Sequence, residues 1–179
     1  MSTQELVDLD FTKDVPERAI APGSTLRPEC EIGSLRPGHA GNFVHYLGAK
    51  PRRVAAAADS PVIVVEDDEI TRRVLERALG LQGYPVRACA DSRGFLQVLR
   101  KPPLPRLVLL DVELPQVNGF KILTLLRQHP QTMDIPVVML TGCSESKDLL
   151  HGVSLGADGY LSKPVKLETL RAMLAKLLH

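Results

Sequence analysis

The chain has 179 residues, enough for one ordinary domain with an appendage. A formal net charge of +1 gives no compositional case for a nucleic-acid or membrane-surface binder, and 44% hydrophobic residues suffice for a buried core. Three scattered cysteines (Cys30, Cys89 and Cys143) lack metal-ligand spacing, the N-terminus lacks a secretory pattern, and no apolar run approaches the roughly 18 residues of a membrane span, so a cytoplasmic protein with reduced thiols is expected.

Residues 1–60 carry scattered prolines and glycines, mixed charge and mostly single apolar residues, with no sustained period. Such a segment buries too little to offset its ordering entropy, so it is expected to be an N-terminal extension, disordered or packed as an arm. Two pieces of it are candidates for order, Phe43–Leu47 and Val54–Ala58.

From residue 61 to 179 short apolar runs alternate with amphipathic segments. The runs are Val62–Val65, Val86–Ala90, Leu107–Leu110, Val137–Leu140 and Gly159–Leu161. Four are nearly unbroken, as expected of strands covered on both faces of a parallel sheet. The segments between them predict helices. Over 69–82 the buried face would be Ile70, Val74, Ala78 and Leu81, and over 91–100 Phe95, Val98 and Leu99. Residues 119–128 would bury Phe120, Leu123 and Leu126, residues 145–155 Leu149, Leu150 and Val153, and residues 166–178 Leu167, Leu170, Leu174 and Leu177. Gly83, Pro130 and Gly156 stand where helices should stop. Five strands alternating with five helices predict an α/β, doubly wound parallel sheet of flavodoxin-like order 2-1-3-4-5, with helices on both faces.

In such a sheet ligands bind beyond the carboxyl ends of the strands. The first run ends on Glu66-Asp67-Asp68, the third on Asp111, the fourth on Thr141 and the fifth on Lys163-Pro164. These strands are neighbours in the expected order, so acids, a hydroxyl and an ammonium should meet in one crevice. Crowded carboxylates repel one another, and Mg²⁺, which favours carboxylate oxygens and shares its shell with phosphate, is the natural counter-charge. A lysine and a threonine could bind phosphoryl oxygens. These are the parts of a phosphoryl-transfer site, with Asp111 as the nucleophile.

The stretches VIVVEDDE (62–69), LVLLDVELPQVNGFKIL (107–123), PVVMLTG (136–142) and GADGYLSKPV (156–165), at matching intervals, resemble the receiver domain of bacterial two-component response regulators (CheY-like). The resemblance spans about two-thirds of the chain. It implies that Asp111 is the phospho-acceptor, that Glu66 and Asp67 form the acidic pair with Asp67 a direct Mg²⁺ ligand, and that the backbone carbonyl of Glu113 is a third ligand. It further implies that Thr141 is the switch hydroxyl, Tyr160 the aromatic that turns inward with it, and Lys163 the phosphate-binding lysine. Pro115 and Gly119 match the loop after the acceptor, and Lys163-Pro164 the family's cis peptide. The pair reads Glu-Asp rather than Asp-Asp, which favours a water-mediated contact for Glu66, and Asp68 is left between a helix N-cap and the metal shell.

The implied function is a signalling switch rather than an enzyme. A histidine kinase or histidine phosphotransfer protein would donate the phosphoryl group. The face formed by the helix at 145–155, the strand at 159–161 and the helix at 166–178 would receive a downstream protein effector or a second copy in a homodimer. Because the last predicted helix reaches His179, output is expected through protein contacts, with neither nucleic acid nor membrane as a direct partner. Two other readings stand beside it. One is a receiver-fold binding module that is never phosphorylated. The other is a phosphatase of the haloacid-dehalogenase kind, which Asp111-Val112-Glu113 faintly resembles, although that family places its nucleophile after the first strand. Cys143 reads as a small turn residue, His129 and His151 as surface residues, His39 and His45 as tail residues without metal-ligand partners, and Arg52-Arg53 and Arg72-Arg73 as solvated pairs too short for a nucleic-acid patch.

Overall fold

The structure, a computed structural model, describes residues 43–45 (backbone only), 59–142 and 151–178. The expectations for Val54–Ala58, Leu149, Leu150 and Cys143, and for nearly all of the N-terminal extension, fall outside these residues. The strands are β1 (Phe43–His45), β2 (Val62–Val65), β3 (Val86–Cys89), β4 (Leu107–Asp111), β5 (Val137–Thr141) and β6 (Gly159–Ser162). The helices are α1 (Glu69–Gly80), α2 (Ser92–Leu99), α3 (Gly119–Gln128), α4, described over residues 151–154, and α5 (Leu167–Leu178).

The sheet order is β1-β6-β5-β4-β2-β3. Strands β2 to β6 are all parallel and, counted among themselves, run 2-1-3-4-5 as expected. The addition is β1, which joins the free edge of β6 antiparallel with Val44 opposite Tyr160. Three residues of Phe43–Leu47 therefore act as an edge strand.

Alternating residues of the same strands feed two apolar layers. Ile63, Val65, Val108, Leu110, Val137 and Met139 pack with Phe95, Leu99, Leu123 and Leu126 on one face. Val62, Val64, Leu107, Leu109, Val138 and Leu140 pack with Leu75, Leu79, Leu170, Met173 and Leu174 on the other. Full burial of each such side chain contributes about 1.5–3 kcal/mol, so the unbroken apolar runs have a direct energetic reason. Asp68, Asp91 and Asn118 cap α1, α2 and α3, and His129, extended ahead of Pro130, ends α3. Gly83 and Gly156 both take left-handed backbone after their helices.

The face of α1 differs from the expected one. Ala78 is buried as expected, but Ile70, Val74 and Leu81 are 75%, 50% and 78% exposed, and Leu75 and Leu79 are buried in their place. Leu167 is likewise exposed at the start of α5, while Leu170, Leu174 and Leu177 are buried as expected. Both sets on α1 satisfy helical spacing, so the period alone does not choose between them.

Candidate functional site

Parallel register alone brings the strand ends together. Val65 pairs with Leu110, Asp111 with Leu140 and Thr141 with Ser162, so the residues that follow β2, β4, β5 and β6 emerge side by side. Main-chain bonds tie the strand ends: Glu66 N–H donates to the Cys89 carbonyl of β3 at 3.1 Å, Val112 N–H to the Leu140 carbonyl at 2.9 Å, and Lys163 N–H to the Thr141 carbonyl at 2.8 Å.

Glu66 is fully buried, Asp111 nearly so, and Asp67 exposed. One carboxylate oxygen from each of the three lies within 4.8 Å of the others. The Lys163 ammonium reaches into the group, 2.6 Å from Asp111 Oδ2 and 2.8 Å from both oxygens of Glu66, hydrogen-bonding through Oε1. Glu66 Oε2, although ion-paired, is buried without a hydrogen bond. The other oxygen of Asp111, Oδ1, accepts from the Glu113 N–H at 3.1 Å. The acceptor expected from the sequence is thus held from two sides.

Burial pushes the Glu66 carboxyl up from 4.5 to about 6, helped by the nearby Asp111 charge and opposed by Lys163. Burial by itself would lower the Lys163 ammonium, but its hydrogen bonds to Asp111 and Glu66 prevail and raise it. Three hard oxygen donors with one buried carboxylate oxygen unsatisfied form a set that suits a small divalent cation such as Mg²⁺.

Asp68 does not join this group. Its carboxylate accepts from the Thr71 N–H at 2.7 Å as the N-cap of α1, and that bond holds it below the usual carboxylate range. Thr141 and Tyr160 are both buried, and Lys163–Pro164 is cis as the resemblance implied. Behind the acceptor, Gly119 is needed for a close approach. A Cβ there would overlap the Asp111 carbonyl oxygen and lie 3.1 Å from Val112 Cα, so α3 can begin directly against the end of β4 only with glycine.

Two contributors escaped the sequence reading. Arg72 is not merely solvated: its Nη1 donates to the carbonyls of Glu66 at 2.8 Å and Asp67 at 3.0 Å, pinning the acidic loop to α1. Its neighbour Arg73 does remain a surface residue, paired with Glu69. Arg127 and Asp158 form a buried ion pair at 2.8 Å. Arg127 also donates to the carbonyls of Gly156 and Ile135, while Asp158 accepts from the Val137 N–H, which locks α3 to the starts of β5 and β6. The i,i+6 spacing of Glu66 and Arg72 carries no usual signal, and an arginine in a helix reads as surface unless its partner is known.

Comparison with known proteins gives one family. The pattern described as the response regulator receiver domain matches residues 62–175. Among curated relatives, the DNA-binding dual master transcriptional regulator RpaA of Synechocystis sp. is 36% identical over 119 residues, covering 66% of this chain and 48% of that protein. The transcriptional regulatory protein GltR of Pseudomonas aeruginosa is 36% identical over 118 residues, with the same coverage of 66% and 48%. This chain therefore spans about half the length of these relatives. Their names concern transcription and, for RpaA, DNA, at odds with the expectation that nucleic acid plays no part. The solved structure of the chemotaxis protein CheY4 of Vibrio cholerae is 30% identical with a TM-score of 0.63, covering 67% of this chain and 99% of that one. No helix among the described residues is long and apolar enough to cross a membrane.

Proposed function

Because this chain belongs, over residues 62–175, to the response regulator receiver domain family of two-component signalling, we propose that it is a phosphorylation switch whose acceptor is Asp111. The donor is a phosphohistidine on a histidine kinase or a histidine phosphotransfer protein, and the output is a change in contacts with a downstream protein effector. The observation that carries this reading is the arrangement around Asp111: a buried carboxylate, 2.6 Å from an ammonium, beside two further acids at the open end of a parallel sheet.

In the transfer an Asp111 carboxylate oxygen attacks the phosphorus. The new P–O bond forms as the P–N bond to the imidazole breaks, and the ring nitrogen keeps the electron pair. Lys163 and Thr141 hold phosphoryl oxygens, which concentrates positive charge and hydrogen-bond donors where negative charge is shared out. Glu66, Asp67, Asp111 and the Glu113 carbonyl would hold Mg²⁺, which supplies neutralisation of the crowded negative charge when bound. Lys163 spans Glu66 and Asp111, so it balances the acids before any phosphoryl group arrives.

Phosphorylation then biases a two-state equilibrium in which Thr141 and Tyr160 move together and alter the face of α4, β6 and α5, where an effector or a second copy would bind. Residues 1–60 serve as an extension to a receiver domain at 61–179. The chemistry is limited to the chain's own phosphorylation and dephosphorylation. The test is intact-protein mass after incubation with acetyl phosphate and Mg²⁺, beside Asp111→Asn. A gain of one phosphoryl group that requires both the aspartate and the metal is expected; no gain in the parent chain would refute the reading.

A further inference from the structure

Gly152 lies within the described turn of α4, is buried, and has no left-handed backbone to explain it. A glycine in helical backbone costs about 1 kcal/mol relative to alanine, so its presence here needs another reason. The reason is visible in what a side chain would meet. A Cβ on Gly152 would fall inside the Tyr160 hydroxyl, 2.8 Å from that ring's Cζ and 2.8 Å from Phe120 Cε1. The Tyr160 ring is therefore turned inward, only 3% exposed, with its hydroxyl laid directly on the bare Cα of α4.

The slot has a second wall with a direct line to the acceptor. Phe120 stands against His151 edge to face at 4.9 Å, and it follows Gly119, the residue whose missing side chain lets α3 abut the Asp111 carbonyl. On its other side Tyr160 pairs in register with Met139, two residues before Thr141. The inward ring is thus bounded by the end of β5, the start of α3 and one atom-sized gap in α4. Of these, the gap in α4 is the one that a missing side chain opens against the ring itself.

We propose that Gly152 is a positioning residue: the notch it leaves in α4 admits the inward Tyr160 ring, and so sets the balance between the two states of the switch. This rests on the reading of Tyr160 and Thr141 as a coupled pair. A single methyl at position 152 would exclude the inward ring and move the equilibrium toward the outward one. By reciprocity, a protein biased outward should hold less phosphoryl group at Asp111.

The experiment uses the full chain with Gly152→Ala made in three backgrounds: parent, Tyr160→Phe and Tyr160→Ala. Urea midpoints and the steady-state phosphorylated fraction with acetyl phosphate are measured in all three, and the ¹⁹F signal of fluorotyrosine at position 160 in the parent background. In the parent background the substitution should lower the midpoint, move the tyrosine signal from a buried to a solvent-exposed environment, and reduce the phosphorylated fraction on the order of fivefold or more. With Tyr160→Phe the loss of midpoint should shrink, because the hydroxyl is gone. With Tyr160→Ala the loss should shrink further, since only the 2.8 Å approach to Phe120 Cε1 then opposes the better helix propensity of alanine. An equal loss of midpoint in all three backgrounds, or an unmoved tyrosine signal, would overturn the proposal. A ring that moves without changing the phosphorylated fraction would overturn it as well, leaving Gly152 a packing residue. A parent chain that takes no phosphoryl group would instead refute the phosphorylation reading, while the midpoints and the tyrosine signal would still decide whether the notch holds the ring.

Discussion

Lys163→Met is the perturbation whose outcome follows most directly from the geometry. The ammonium contacts two buried carboxylates, Asp111 at 2.6 Å and Glu66 at 2.8 Å, and methionine keeps its length without its charge. Removing one partner of a buried ion pair costs about 3–5 kcal/mol because it strands the other charge. The lysine side chain is 23% exposed, so solvent screens part of this, and a loss of about 2–3 kcal/mol is expected near pH 8 without divalent cations. At a urea slope of about 1–3 kcal/mol/M the midpoint should fall by about 1–2 M. The sign with pH is fixed by Glu66, whose carboxyl already sits at about 6, above its ordinary 4.5. Above that pH the folded variant must hold two uncompensated negative charges. Without the ammonium that lowers it, Glu66 in the variant takes up its proton at a higher pH than the parent's, so by pH 5 the difference from the parent should shrink below about 1 kcal/mol. The assay is urea denaturation of both proteins followed by circular dichroism at pH 8 and pH 5. An equal loss at the two pH values would refute the idea that the lysine's role in the folded state is charge balance.

The divalent site should show the same titration: Glu66 must lose its proton for Mg²⁺ to bind well, so affinity measured calorimetrically should fall as pH drops below about 6 and level off above it, and a flat profile from pH 5 to 7.5 would exclude Glu66 from the site. Arg127→Met should destabilise the domain by about 3–5 kcal/mol in urea denaturation, since it strands buried Asp158 and removes donors from the Gly156 and Ile135 carbonyls; a loss under about 1 kcal/mol would show that the pair is not closed in solution. The Cys89 thiol, pushed by burial up to about 12, should resist iodoacetamide at pH 8 in the native protein and react at an ordinary rate in urea, as read by peptide mass; rapid native labelling would contradict its burial.

The parts of this fold visible in the sequence are those where one residue's environment is set by its strand alone. The runs at 62–65, 107–110 and 137–140 are apolar because both faces are covered, and the residues that follow them and the strand at 159–162 define the site through parallel register. Asp111, Asp67, Glu66 and Lys163 could be placed together for that reason. What stayed hidden depends on a choice between equivalent local patterns or on a distant partner. On α1 two apolar stripes share the helical period, and the sequence does not say whether Val74 or Leu75 faces the sheet. Arg127 looks like a surface residue until Asp158, on a different element, is brought to 2.8 Å. Gly152 resembles any small residue in a helix until the Tyr160 ring is laid over it. The three residues of β1 are too few to show a period, and their pairing is specified by the open edge they meet.

That edge strand also imposes an order on assembly. In an unfolded chain, pairing Val44 with Tyr160 closes a loop of roughly 115 residues, at an entropic cost of about 4 kcal/mol beyond the constant for contact. Once β2 to β6 are in place, the tether is only the roughly 16 residues between His45 and Val62, and the cost falls to about 2.5 kcal/mol. Three residue pairs form too small a ladder to meet the larger figure early, so β1 should add last, onto a sheet already built. The same arithmetic makes it the first strand to leave: it can detach against a short tether while the five parallel strands keep every one of their own partners.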